Sequence, residues 1–404
     1  MRRDNKSATI RKEARPGKVS KTEQSNTVEF VKSAFREYYF KSRVIEEPTK
    51  ISMREFGYTL FGQRGMVRHL SFPNMGELAA TLVREAPSDV FCSNAFYNFP
   101  ERQMQEKEWQ GASLIFDIDG KDLDLPCVSS HTFQCCVTCN SAEAGPDTNK
   151  AFSCKSCGGL KADFVSLPCQ KCMDASKKET VKLERFLVED FSIALRDIHK
   201  YFSGNNGFHV HVSDEEFATL DSPARSDLVG YIAGTGFIPE SVGVRKGNAA
   251  SSGFVKFPRG GIGSGWRRRV ADKLKIDGSS TIRLSNIVSS LGGYAGFRAE
   301  VDQLVRADGA RIDAQVTSDV HRIFRMPGTL NSKSGLAKTL CTDLNSFDPT
   351  TDACLLGDRL VAMRVKCPVK IRLKGRTYNV AKELAELPTH AAVYLACKGL
   401  AELA

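Results

Sequence analysis

Gly111-Ala-Ser-Leu-Ile-Phe-Asp-Ile-Asp119 reads as a buried central strand that ends in two carboxylates. Side chains alternate along a strand, so Asp117 and Asp119 share one face while Ile118 turns into the core. Their backbones lie about 6.5–7 Å apart, close enough for both carboxylates to reach one site. Two such groups at the end of an apolar run repel each other and lose solvation, and a divalent cation relieves both penalties. Mg²⁺ or Mn²⁺ suits oxygen ligands and keeps positions open for phosphate and water. An Asp-x-Asp pair is common, however, and a solvated turn is its other reading. A third carboxylate, Asp313, is expected at the start of a second strand in 311–317, with Ile312, Ala314 and Val316 facing away. Two metals on three aspartates would clamp an attacking oxygen and a leaving phosphate oxygen.

Ser203-Gly-Asn-Asn-Gly-Phe-His209 joins two expected strands, Ile198–Phe202 and Gly207–Val212, by a tight turn. Its backbone N–H groups can cradle phosphate oxygens. His209 and His211 share the face opposite Phe208, Val210 and Val212. They read either as two exposed histidines on an edge strand or as part of a metal hydrolase, for which Asp214 is the nearest further ligand. His321-Arg322-Ile-Phe-Arg325-Met-Pro-Gly-Thr-Leu-Asn331-Ser-Lys333-Ser-Gly335 follows Asp313 and offers Arg325 and Lys333 to a triphosphate.

Eight of the 13 cysteines fall within 127–172. Cys136-x2-Cys139 and Cys154-x2-Cys157 have zinc-ribbon spacing, flanked by Cys127-x3-His131 and Cys169-x2-Cys172. The middle four, Cys136, Cys139, Cys154 and Cys157, are expected to form a structural zinc ribbon, which the outer pairs would flank. Cys135 is then left free. A single zinc with spare thiols is the alternative. Cys92, Cys341, Cys354, Cys367 and Cys397 read as core residues.

The chain has 404 residues, is 41% hydrophobic and 26% charged, and so can build a packed core. No run approaches the roughly 18–20 apolar residues of a membrane helix, and no apolar segment follows the basic start. A soluble intracellular protein is expected, with no membrane partner. The net charge is +10, and residues 1–26 hold eight basic residues against three acids. This segment reads as a disordered basic tail that also attracts phosphates. Elsewhere, Arg245-Lys246 and Arg267-Arg268-Arg269 supply local basic clusters. Helices are expected at 26–39 (Val28, Val31, Phe35, and Tyr38 or Tyr39 inward), at 75–84, and from a Ser176-x-x-Glu179 capping box. Short strands are expected at 51–56 and 67–72, and a mainly helical insertion at about 214–306 with a Gly/Ser-rich break at 247–265. Residues 326–335 read as a loop, Val369–Leu373 as a strand and 391–403 as a short helix.

In this order the pieces resemble the small (catalytic) subunit of archaeal/eukaryotic-type DNA primases, nearer the archaeal branch. The residues that carry it are Arg54-Glu55-Phe56, Arg68-His69 with Ser71-Phe72, Phe116-Asp-Ile-Asp119, Phe202-Ser-Gly-x-x-Gly-Phe-His209, and Asp313 with Arg322-x-x-Arg325-x-Pro-Gly. Arg225, Tyr231 and Lys398-Gly-Leu-Ala-Glu402 also fit. The resemblance spans roughly 28–404. It implies a mixed α/β primase core with mixed sheets flanked by helices, a zinc module at 127–172 and the helical insertion, all within one catalytic domain at 27–404. It implies Asp117, Asp119 and Asp313 as ligands of the catalytic Mg²⁺ or Mn²⁺, and a zinc knuckle just after the first two, for which Cys127, His131, Cys169 and Cys172 are the expected ligands, with the ribbon as a second, inserted site. It further implies Ser203, Gly204 and His209 on the incoming nucleotide's phosphates, aided by Arg325 and Arg68.

The expected partners are a single-stranded DNA template, nucleoside triphosphates and a large subunit with an iron–sulfur domain; the expected location is the archaeal cytoplasm. Two positions depart from the family pattern: Asn206 stands where an arginine is usual, and Asn331 where a histidine is usual. Rival readings are a repair-type polymerase of the same superfamily and a non-catalytic zinc-ribbon protein that binds nucleic acid.

Overall fold

The computed structural model describes residues 21–42, 44–145, 151–244, 246, 254–255, 265–275, 282–381 and 384–404. Most of the basic tail, Arg245 and nearly all of the Gly/Ser-rich break lie outside these residues. The fold is mixed α/β, built on two four-stranded antiparallel sheets. The first runs in the order Ile323–Arg325, Asp89–Ser93, Phe56–Thr59, Val67–Leu70, and the second in the order Thr339–Leu340, Ile198–Phe202, Gly207–Val212, Leu114–Asp119. Ile115 of the second sheet, Phe324 of the first and Val316 between them form one small buried cluster where the sheets meet.

The alternating pattern Phe208, Val210 and Val212 is buried as its period requires. That face, with Leu114, Phe116 and Ile118, packs on the helices Gln170–Glu189, Ser222–Ala233, Trp266–Lys273 and Tyr294–Asp308. Each fully buried phenylalanine here, such as Phe116 and Phe186, contributes about 1.5–3 kcal/mol of hydrophobic stabilisation. The opposite face carries Ile115, Asp117, Asp119, His209 and His211 into the cleft between the sheets. The helix Lys21–Lys41 buries Val31, Phe35, Tyr38 and Tyr39, and with Met75–Glu85 it covers the first sheet.

Several expectations change. The strand Leu114–Asp119 is buried but lies at the sheet's edge rather than its centre. A buried edge must hide its backbone donors and acceptors, and the segment around Asp313 does this: the Asp313 N–H donates to the Asp117 carbonyl at 3.0 Å. No strand forms at 311–317; Asp313 instead caps the short helix Ala314–Ser318, accepting from the N–H groups of Gln315 and Val316. The apparent alternation there fails because Ala314 is exposed while Val316 is buried. Ser176-x-x-Glu179 is not a helix start. The helix begins at Gln170 with Cys169 before it, so Ser176 lies buried in its middle and Glu179 accepts from the Arg311 N–H at 2.9 Å. The start is set by the cysteine pair, which occupies the cap and first turn.

Residues 51–53 form a 3-10 turn, and the strand begins only at Phe56. Near the end, the helix is Thr389–Cys397 and Ala401–Leu403 is a strand paired with Leu360–Val365. Cys92, Cys341, Cys354 and Cys367 are buried as expected.

Candidate active site and metal centres

The register His209 opposite Asp117 and Gly207 opposite Asp119 sets the site. Asp117 and Asp119 project on the same face, as their spacing requires. Asp313 arrives from the other side through its backbone bond to Asp117. Burial, then the charges of Asp119 and Asp313, push the Asp117 carboxyl up to about 6. The nearest cationic candidate, His209 Nε2, is 3.4 Å from Asp117 Oδ1, but burial and the cations Lys338, Arg325 and Arg322 hold this histidine well below its ordinary pKa. It is therefore neutral and supplies no countercharge. Lys121 compensates Asp119 at 3.0 Å. A half-buried carboxylate facing two like charges and a neutral imidazole fits a divalent cation.

The turn between the hairpin strands depends on two glycines. Gly204 has φ +89°, and a side chain there would also press on Asn331. At Gly207 a Cβ would sit 2.2 Å from the Ile118 carbonyl oxygen, so only glycine allows this close strand approach. The turn is closed by the Ser203 N–H donating to the Gly207 carbonyl at 2.9 Å. From the loop after Arg325, Asn331 Nδ2 donates to the Ser203 carbonyl at 3.5 Å, and the Ser334 hydroxyl donates to the Gly204 carbonyl. Among the described residues the buried side-chain oxygen of Asn206 has no hydrogen-bond partner, while its backbone carbonyl accepts from the Gly120 N–H at 2.7 Å.

Arg325 is largely buried. It pairs with Asp89 at 2.7 Å and donates to the Leu330 carbonyl at 2.8 Å. Asp89 also accepts from the Ser332 backbone and hydroxyl. Burial alone would raise the Asp89 pKa, but Arg325 and Ser332 outweigh it and hold it low. Arg325 thus braces its own loop from beside the cleft, and Lys333 is exposed at the loop's tip. Arg68 lies on the strand at the opposite edge of the first sheet, where its guanidinium is held by the fully buried Glu55 at 2.9 and 3.2 Å.

His209 and His211 are not exposed edge residues: their strand is flanked on both sides, and the rings stack 6.5 Å apart. His211 Nε2 accepts from Lys338 Nζ at 2.8 Å, which occupies the lone pair that a hydrolase metal would need. Lys338 is a residue that the sequence reading missed. It is fully buried, also donates to the Arg325 carbonyl at 3.0 Å, and is pushed down to about 7 by burial and then by Arg325. A lone lysine inside Leu336-Ala-Lys-Thr-Leu340 was the available signal.

The cysteines converge as two sets of four ligands, each with its ligand atoms within 4.8 Å of one another: Cys127, His131, Cys169 and Cys172, and Cys136, Cys139, Cys154 and Cys157. Sulfur separations of 3.6 Å (Cys127–Cys172, Cys136–Cys157, Cys139–Cys154) are close to the edge of a zinc–thiolate tetrahedron and far from a disulfide. His131 presents Nε2 to Cys172 at 3.2 Å, while Nδ1 meets the Ser166 hydroxyl at 3.0 Å. Such a partner on the second ring nitrogen fixes a ligating histidine. Both sets can hold zinc, and Cys135 stands outside them.

Relatives match this chain along nearly its whole length. The DNA primase small subunit PriS of Nitrosopumilus maritimus is 42% identical over 381 residues, covering 93% of this chain and 99% of its own length. The chain belongs to the DNA primase small subunit family. The same-named proteins of Cenarchaeum symbiosum and Methanosarcina barkeri are 39% and 30% identical, each covering over 90% of both chains. The family's sequence profile, described as DNA primase small subunit, matches residues 163–342, which include the hairpin, Asp313 and the Arg325 loop.

Proposed function

We propose that this chain is the catalytic subunit of a primase, making short primers de novo on single-stranded DNA from nucleoside triphosphates. The observation that carries the reading is the carboxylate face itself: Asp117 is raised to about 6 by burial and then by the charges of Asp119 and Asp313, and its strand pairs with His209 and the glycine turn. Family membership supplies the reaction class. Asp117, Asp119 and Asp313 would hold Mg²⁺ or Mn²⁺. When bound, the metal supplies charge stabilisation to the attacking 3′-oxygen and the departing phosphate.

The chain's own groups do the positioning. The Ser203 hydroxyl and the Gly204 backbone N–H would donate to phosphate oxygens, the Ser203 N–H being used to close the turn. Neutral His209 carries a single ring N–H, and its Nε2, 3.4 Å from Asp117 Oδ1, would turn that N–H to the phosphates when Asp117 holds the metal. Arg325 adds charge from the brace at Asp89, and Arg68 adds it from the far sheet edge. The two zinc sets are structural, because four protein ligands leave no position open. A large subunit is the expected partner, and replication in the archaeal cytoplasm the expected setting. The domain limits proposed are a tail at 1–26 and one catalytic domain at 27–404, with the zinc module at 127–172 and the helical insertion at about 214–306.

The deciding assay supplies single-stranded template, nucleoside triphosphates and Mg²⁺ or Mn²⁺, with the large subunit. New oligonucleotides are expected, with a loss of at least about a thousandfold in Asp117→Ala while template binding persists. Synthesis that survives in that variant sinks the metal assignment. Extension of pre-formed primers alone would identify a repair-type polymerase, and template binding without synthesis would leave a zinc-ribbon binding protein.

A further inference from the structure

Lys398 follows the helix Thr389–Cys397 and is only 6% exposed. Its ammonium donates to two neutral oxygens from separate parts of the fold. One is the Ser166 carbonyl of the zinc module at 3.0 Å, and the other is Asn205 Oδ1 of the hairpin turn at 2.8 Å. Among the described residues it forms no ion pair. Besides these two oxygens the ammonium has only the Tyr394 ring, 5.7 Å away, among the described residues to offset its charge, so burying it costs free energy. Burial brings its pKa down to about 8; Cys397 opposes this, and nearby Lys333 adds to it.

Ser166 leads directly to a metal centre. Its hydroxyl meets His131 Nδ1 at 3.0 Å, its backbone pairs with Thr132, and the next N–H, that of Leu167, donates to the His131 carbonyl at 3.0 Å. On its other side Lys398 reaches the hairpin turn, which is also held by the loop at 326–335, through a long 3.5 Å bond from Asn331 and a bond from Ser334, and by the Gly120 N–H on the Asn206 carbonyl at 2.7 Å. The continuous path is therefore zinc ligand His131, Ser166, Lys398, Asn205, turn.

We propose that Lys398 is a positioning residue: it transmits the geometry of the Cys127/His131/Cys169/Cys172 centre to the Ser203–Gly207 turn and places a positive charge beneath it. The occupancy of that centre then sets the affinity for the incoming triphosphate. This rests on the reading of the turn as the triphosphate grip.

The test uses the full chain and Lys398→Met, which keeps the stem but removes charge and donors. Titration with a fluorescent non-hydrolysable nucleoside triphosphate should show binding weakened about tenfold. KM should rise to match, with kcat within about twofold and template affinity unchanged, because the interaction exists before the chemical step. Asn205→Ala, which removes the acceptor alone, should give the same split and guards against a misfolded Lys398→Met. Cys169→Ser, which opens the first metal centre, should also weaken nucleotide binding. Combined with Lys398→Met it should add little, since both act along one path.

Unchanged nucleotide affinity in both Lys398→Met and Asn205→Ala overturns the proposal, as does full multiplication of the Cys169→Ser and Lys398→Met effects. Asp117→Ala run in parallel separates the two failures. Synthesis surviving there sinks the functional reading, whereas a dead Asp117→Ala with unchanged affinity in the Lys398 and Asn205 variants sinks only the strut.

Discussion

Asp117 gives the metal-free protein a stability term with a definite sign. Its pKa is about 6 in the folded chain against an ordinary 3.8. Below pH 3.8 the carboxyl is protonated in both states and the term is fully present. Between 3.8 and 6 the unfolded chain releases its proton more readily, so stability falls as pH rises and levels off above about 6. The loss is of order 3 kcal/mol. In chelator at pH 7, Asp117→Asn is therefore expected to melt higher than the unsubstituted chain while having no synthetic activity. Mg²⁺ should raise the Tm of the unsubstituted chain more than that of the variant; a lower Tm for Asp117→Asn in chelator contradicts the charge argument. Gly207→Ala should lose about 1–3 kcal/mol in denaturant titration, because its Cβ would meet the Ile118 carbonyl at 2.2 Å. Native-like stability there would mean that the two strands separate easily.

At the scale of elements, the zinc module and the helical layer each make a separate demand. Two zinc equivalents per chain are expected by elemental analysis. Cys136→Ser with Cys154→Ser should remove one and leave the melting of the central sheets largely in place, since the first set shares Cys172 with the larger core. A preparation with one equivalent from the outset would refute the second centre. Arg225 ties the helix Ser222–Ala233 to the carboxylate strand's approach by donating to the carbonyls of Leu220 (2.9 Å), Ser113 (3.2 Å) and Ala112 (2.6 Å). It is fully buried, so Arg225→Ala leaves three carbonyls to lose their partner. A cost of about 3 kcal/mol in chemical denaturation is expected, and a loss under 1 kcal/mol would show that water replaces it.

For the whole molecule, the electrostatics are uneven. Half of the +10 net charge belongs to residues 1–26. Deleting residues 1–20 should weaken binding to single-stranded DNA and flatten its salt dependence by several counterions, with kcat per bound template unchanged. An unaltered salt slope would assign the phosphate contacts to the folded part alone. Among the described residues no helix is long and apolar enough to cross a membrane.

The sequence by itself determined the parts of the site that follow from local periodicity and spacing. Asp117 and Asp119 share a face because strands repeat every two residues, and the hairpin and its glycines follow from turn chemistry. The inner set of four cysteines follows from its paired spacings and the outer set from the family resemblance, and the structure brings each set together where it could hold zinc. What failed locally was what long-range contacts decide. Asp313 looked like part of a strand, but a backbone bond to Asp117, 196 positions away in sequence, stops the extended segment and starts a helix there. Ser176-x-x-Glu179 looked like a cap, but the zinc ligands before it had already begun the helix. Lys338 and Lys398 gave no periodic signal, since their significance lies in partners at 127 and 193 residues' distance. A buried cation is defined by what surrounds it, and only the folded chain assembles those surroundings.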